Sequence, residues 1–252
     1  MPIARRRRVA VVLVVIASLV VGVAALIAAA AGDVERIDGY WTSATLTDEG
    51  LEVVEVIDYD FGPQLRRGIY REIPDLIPTS VIVTSPTAPT DTLVTDYFSH
   101  HEIRVGDPLV TISGRHRYRL EYTIERSAVV QNGLFSWDAV GLEWTVPIRD
   151  IDVHLAVPAP TDIACVQGDP WSPDDCAVAS STTGALTFDL ADLSAGRGAT
   201  VSARIGSGAV PALPIEPSGP ADDPGSGVLA PAFIATIAAL IGGLIAIVAT
   251  RR

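Results

Sequence analysis

Two apolar runs decide most of what this chain can become. Val9–Ala31 and Val228–Thr250 are each 23 residues long and carry no charge. A helix needs about 20 apolar residues to cross the hydrocarbon core of a bilayer. Both runs therefore read as transmembrane helices. Arg5–Arg8 precede the first, and Arg251 and Arg252 follow the second. The positive-inside rule then puts residues 1–8 and 251–252 in the cytoplasm and the middle of the chain outside. The expected location is the cell membrane, with two spans and the lipid bilayer as the first partner. The run 9–31 has a rival reading, because "RRRR", an apolar core and "AAAAGD" also fit a cleaved secretory signal. Its length favours an uncleaved anchor, since a signal core is about 7–15 residues. Either way the middle is exported, and no cytoplasmic domain is expected. Small residues recur every four positions on the second run (Ala235, Ala239, Gly243), and Ser18 and Gly22 offer a matching pair on the first. Such stripes let helices pack closely in lipid, within one chain or between copies.

Charge is divided as sharply as hydrophobicity. Six of the 18 basic residues sit in the two arginine tracts, and all 30 acidic residues lie between the runs. The middle thus carries 12 − 30 = −18. A domain so acidic repels nucleic acid, which excludes that class of partner.

Between the runs the chain alternates. In "HRYRLEYTIE", residues 116–125, His116, Tyr118, Leu120, Tyr122 and Ile124 share one face, and charged or polar residues take the other. That is the pattern of a half-buried antiparallel strand. "LEVVEVIDYDF" (51–61), "IDVHLAVP" (151–158) and "ATVSARI" (199–205) repeat it. Shorter strands are expected at 40–47, 80–84, 93–98, 109–113, 142–148, 163–167 and 185–190, with turn signals such as "TDEG", "VGDP" and "VQNG" between them. The fold class is all-β: an antiparallel β-sandwich over residues 33–205, two packed sheets, between two transmembrane helices. Residues 206–227 are rich in Pro, Gly and Ser and read as a loose linker to the second span.

Cys165 and Cys176 are the chain's two cysteines, with ten residues between them in "CVQGDPWSPDDC". An even count in an oxidising compartment predicts a disulfide.

One irregularity in the alternation carries the candidate site. On 51–61 the apolar face contains Glu55, and on "GIYREI" the face of Ile69 and Ile73 contains Arg71. Two opposite charges, each alone on an apolar face, predict a buried structural ion pair. Guanidinium suits it because it bonds a carboxylate through two donors. The competing expectation is that Arg71 faces a ligand.

"VEVIDYDFGPQLRRGIYREIP", "SGRHRYRLEYTIERSAV" and "LFSWDAVGLEWTVPI" together resemble the N-terminal domain of bacterial predicted membrane proteins grouped as domain of unknown function 2207. The resemblance covers roughly residues 35–205. It implies an exported β-rich domain beside membrane segments, and both Glu55 and Arg71 match its motif. It implies no catalytic residues.

Other candidate chemistry is weak. "HHE" at 100–102 puts adjacent histidines on opposite faces of a strand, so an exposed turn or edge is expected rather than a metal site. His116 falls on an apolar face and His154 on a polar one. No GxSxG, P-loop or GxGxxG occurs. "DPWSPDD" reads as a solvated acidic loop rather than a calcium site. Arg115, Arg117 and Arg119 make a basic stripe, expected to pair with acids on neighbouring strands rather than to hold an anionic polymer. Trp137, Trp144 and Trp171 read as packing anchors before sugar platforms. No metal, cofactor or catalytic residue is expected, and no ligand-binding residue is assigned. The expected function is a non-enzymatic binding or assembly module of the bacterial cell envelope, partnered by another envelope protein or itself. Recognition of a wall glycan or anionic polymer is the alternative, and a hydrolase of unfamiliar type the third.

Overall fold

The computed structural model describes residues 35–74, 76–97, 100–180 and 185–217. Both apolar runs, their small-residue stripes and the far half of the expected linker lie outside the described residues.

β1 (Arg36–Leu46) and β2 (Gly50–Asp60) form a long hairpin closed by a turn at 47–49, and β7 (Arg115–Glu125) pairs with β2 along its whole length. Each alternates as the sequence predicts. Tyr40, Ile57 and Tyr118 lie in one cross-strand row, with Leu46, Leu51 and Ile124 in another, all buried. β4 (Pro78–Thr84) extends this sheet beyond β7. β10 (Ile151–Ala156), β14 (Leu186–Asp189) and β13 (Ala177–Ser180) extend it beyond β1, giving seven strands in the order β13-β14-β10-β1-β2-β7-β4. A second sheet of five runs β12 (Ser172–Asp175), β11 (Thr161–Asp169), β15 (Gly198–Arg204), β9 (Leu134–Val140), β8 (Val130–Gln131). A third of three runs β3 (Ile69–Pro74), β6 (His100–Val105), β5 (Thr92–Asp96). Among the described residues one short helix, α1 (Arg126–Val129), joins β7 to β8. Buried side chains of all three sheets form a single core.

The structure is all-β, and three features depart from the expected pair of antiparallel sheets. First, there are three sheets. β3, β5 and β6 separate from the large sheet at Gly68 and Gly106, whose φ values are +121° and +131°. A Cβ on Gly68 would stand 1.8 Å from the Val105 carbonyl oxygen, so only glycine lets the two chains cross there. Second, β1 and β10 are parallel. Residues 141–150 carry the chain back to the end where β1 starts, bridging Ile37 through Ile148, so β10 sets out beside β1 in the same direction. Third, 142–148 and 109–113 are not strands; they make only isolated bridges at Ile148 and Ile112.

The first half of the expected linker is fastened. The Gly206 amide donates to the Pro158 carbonyl (3.0 Å), and Glu216 pairs with Arg119 on the outer face of the large sheet (2.7 Å). Pro158 follows the far end of β10, whereas Arg119 lies four residues from the start of β7. Residues 206–217 thus run as a strap from the far end of the sheet back toward the end where the chain entered. Cross-strand neighbours Trp41 and Val56 lie in Arg119's row on that face and are buried. His154, expected on a polar face, is buried there too, tilted against the Trp41 ring at 5.4 Å. Burial holds its pKa below the usual imidazole value, with Asp152 opposing.

Candidate functional site

The site is a buried ion pair where the three sheets meet. β2 is central in the large sheet, and the pleat aims Glu55 inward beside Leu120 and Thr42. Arg71 points into the same core from the small sheet, between Ile69 and Ile73. Glu55 is fully buried and Arg71 is 3% exposed. The guanidinium Nε donates to both carboxylate oxygens at 3.0 Å, and Nη2 donates to Oε1 at 2.8 Å. Nη1 donates to the Glu72 carbonyl at 2.5 Å. The structure brings together both charges that stood out on the apolar faces.

The sequence did not reveal the rest of the cluster. Tyr122 donates its hydroxyl to Glu55 Oε1 at 2.8 Å. It is the diagonal cross-strand neighbour of Glu55, within reach of a long side chain. The Trp144 ring lies under the guanidinium, 5.8 Å from the Arg71 Cζ, and meets Tyr40 edge-on. Gly141 lets the backbone approach: a Cβ there would lie 2.8 Å from both Arg71 Nη1 and Glu143 Oε2. The one available signal was the motif "VGLEW", in which an acid and a tryptophan follow a glycine. Periodicity cannot find these partners, because Tyr122 arrives from the neighbouring strand β7 and Gly141 and Trp144 from the stretch after β9.

Electrostatics follow from burial. Desolvation opposes charge on Arg71, but the Glu55 carboxylate outweighs it and holds the guanidinium well above its ordinary pKa. Burial, then the Glu55 charge, pushes the Tyr40 and Tyr122 hydroxyls well above theirs. Burial also raises the carboxyl of Glu143, partly offset by its own backbone hydrogen bond and by Arg71. Beside the pair is a cavity of about 10 Å³ lined by Arg71, Tyr122, Trp137 and Asp138. That is room for about one water. Chemically the cluster can lock three sheets in register; both of its charges are spent on protein groups.

The remaining candidates resolve separately. Cys165 and Cys176 stand at disulfide distance, Cα atoms 5.2 Å apart, at the base of the β11–β12 hairpin. The basic stripe is engaged by acids: Arg115 with Asp38, Arg117 with Asp58 (2.6 Å), Arg119 with Glu121 and Glu216. The histidines of "HHE" are not in a turn. They begin β6, the middle strand of its sheet, with His101 bonded to Asp96 (2.6 Å) and His100 stacked on Tyr97. No three of His, Cys, Asp and Glu gather at one point among the described residues. Trp137 and Trp144 are buried, whereas Trp171 is 93% exposed.

The family described as "Predicted membrane protein (DUF2207) N-terminal domain" matches residues 36–205. The chain belongs to this family. The matched stretch starts at the first residue of β1 and ends one residue past β15, so the DUF2207 domain comprises all fifteen strands. The strap lies beyond it. No curated protein matches the chain. Solved structures similar to it include an M1 zinc metallopeptidase from Deinococcus radiodurans, at 12% identity and TM-score 0.40, covering 67% of this chain and 42% of that one. A putative protease from Parabacteroides distasonis is similar at 13% identity and TM-score 0.41, covering 68% and 40%. The chain spans about two-fifths of the length of these proteins. Likeness at this level transfers no chemistry. No helix among the described residues is long and apolar enough to cross a membrane.

Proposed function

We propose that this is a membrane-anchored exported β-sandwich that works without catalysis, as a binding or assembly module of the cell envelope. The proposed topology is two spans, 9–31 and 228–250, with both termini cytoplasmic. It is supported by the path of the chain, which enters the large sheet at Glu35 and returns along the strap toward that same end by Glu216. The non-catalytic reading is supported by the fate of the strongest acid–base cluster: Glu55 is sealed in the core and its oxygens are occupied by Arg71 and Tyr122.

The observation that carries assembly is the free edge of β5. Native edge strands are usually guarded by charge, proline, bulges or brevity. β12 is "SPDD", β8 has two residues, and β4 begins with Pro78 and is irregular after Thr79. β5, "TLVTD", has no proline or lysine, and Leu93, Val94 and the following Tyr97 are exposed. Such an edge accepts an extended segment of a partner by strand addition. The partner is another envelope protein or a second copy. A photocrosslinker at Leu93 in the membrane-embedded full chain is expected to capture a protein, and Val94→Lys is expected to abolish that capture. Absence of any protein adduct from Leu93 refutes the reading.

Glycan recognition is the second reading, favoured by Trp171 beside a groove of about 120 Å³ on the five-stranded sheet. It ranks lower because the groove's polar groups are engaged internally. Thr200 donates to Asp138 (2.6 Å), Asp169 pairs with Arg197 (2.9 Å), and Gln167 accepts from the Ala191 amide (2.9 Å).

A further inference from the structure

Two loops project from the end of the large sheet where the chain enters. β2 ends at Asp60 and β7 begins at Arg115, and Asp60 lies between Arg115 and Arg36, the start of β1, pairing with both. The loop 61–68 leaves from one, and 106–114 returns to the other. The two are sewn together: Arg66 and Ile112 exchange backbone hydrogen bonds at 2.9 and 2.8 Å, and Gly114 donates to the Gly62 carbonyl at 2.8 Å. The second loop turns at its tip, where the Val110 amide donates to the Asp107 carbonyl and the Leu109 amide to the Asp107 carboxylate.

This paired tip is apolar where a water-facing loop is normally polar. Leu109 is 91% exposed, Leu65 is 66% exposed and Val110 is exposed beside them. Single exposed apolar residues are unremarkable, but three on two joined loops need a reason. The charges fit the same reason. In a domain of strongly acidic balance, this tip carries Arg66 and Arg67, both exposed. Its acids are used internally: Asp107 caps the turn, and Glu35 pairs with Arg66 at 2.6 Å.

That last pair also places the tip. Glu35 is four residues past Ala31, the end of the uncharged run. Four extended residues reach at most about 14 Å. Glu35 is therefore within that distance of the point where the first span would leave the bilayer, and the loop bearing Leu65 is one ion pair further on. We infer that loops 61–68 and 106–114 form a membrane-contacting foot: Leu65, Leu109 and Val110 enter the interfacial layer of the bilayer, and Arg67, next to the Arg66–Glu35 pair, meets lipid phosphates. Apolar side chains bury into the headgroup boundary while long cationic ones keep their heads at its polar edge. The foot would fix the domain's orientation on the membrane. The inference rests on the anchoring proposed above.

The test uses the full chain reconstituted into vesicles of equal parts phosphatidylcholine and phosphatidylglycerol. An environment-sensitive fluorophore is attached at Leu109→Cys, at Leu65→Cys in a second variant, and at Glu49→Cys in the β1–β2 turn at the opposite end as control. Nitroxide-bearing lipid is expected to quench the probes at 109 and 65, with blue-shifted emission, and to leave the probe at 49 unaffected. Retention of the chain on the vesicles through alkaline carbonate is scored separately. A retained chain whose probes at 109 and 65 are as water-exposed as that at 49 overturns the foot and leaves the anchoring intact. Blue-shifted probes that lipid nitroxide does not quench also overturn it, because they report a protein surface. Release by carbonate overturns both.

Discussion

Arg71→Ala removes a guanidinium and leaves its carboxylate behind. In the parent, Glu55 receives three donor contacts from Arg71 and one from Tyr122, with no exposure to water. After the substitution only the Tyr122 hydroxyl remains, and the negative charge sits in a core site that water reaches poorly. Stranding one member of a buried pair costs about 3–5 kcal/mol. At about 2–4 °C per kcal/mol for a domain of this size, the midpoint of thermal unfolding should fall by about 6–20 °C. The pair itself need not be strongly stabilising, because desolvation offsets much of its attraction. Glu55→Leu combined with Arg71→Met should therefore recover most of the loss, and the two substitutions should be strongly non-additive in a double-mutant cycle. The assay is near-ultraviolet circular dichroism of the full chain in detergent against temperature and urea. An Arg71→Ala variant within about 1 kcal/mol of the parent, or additive single substitutions, would refute the buried-pair account and favour an Arg71 that serves a ligand.

The remaining predictions concern other parts of the chain. Non-reducing mass spectrometry should show the Cys165 and Cys176 peptides joined, and opening that short loop by reduction should cost about 2–3 kcal/mol; two free thiols in protein from the envelope would contradict this. Burial holds the folded-state pKa of His154 below the ordinary imidazole value of 6.5, so the unfolded chain binds the proton first as pH falls. Its neutral form is therefore fully accommodated above about 6.5, and stability should decline as pH drops from there toward the lower folded value; His154→Gln should flatten that decline in urea titrations at pH 5 to 7. A cysteine at the exposed strap position Ser207 should react with a membrane-impermeant reagent in intact cells; labelling that requires permeabilisation would reverse the proposed topology.

Much of this protein is legible one strand at a time. Side chains alternate every two residues, so the faces of β1, β2, β7, β10 and β15 can be read without knowing their neighbours. That same rule exposed Glu55 and Arg71, because each breaks an otherwise apolar face, and their opposite charges made a buried pair the first expectation. The two uncharged runs and the spacing of the cysteines are likewise properties of contiguous residues. What the sequence could not determine depends on which strand lies beside which. Tyr122 joins the ion pair from β7, Gly141 and Trp144 from the stretch after β9, and no local period links them to residue 55 or 71. The parallel pairing of β1 with β10 depends on a return path more than a hundred residues long. His154 looked solvent-facing because alternation says which side a residue is on, but not whether something covers that side. The tertiary structure decided that, by setting the Trp41 ring against His154 from the neighbouring strand and by fastening Glu216 of the proline- and glycine-rich strap to Arg119 on the same outer face.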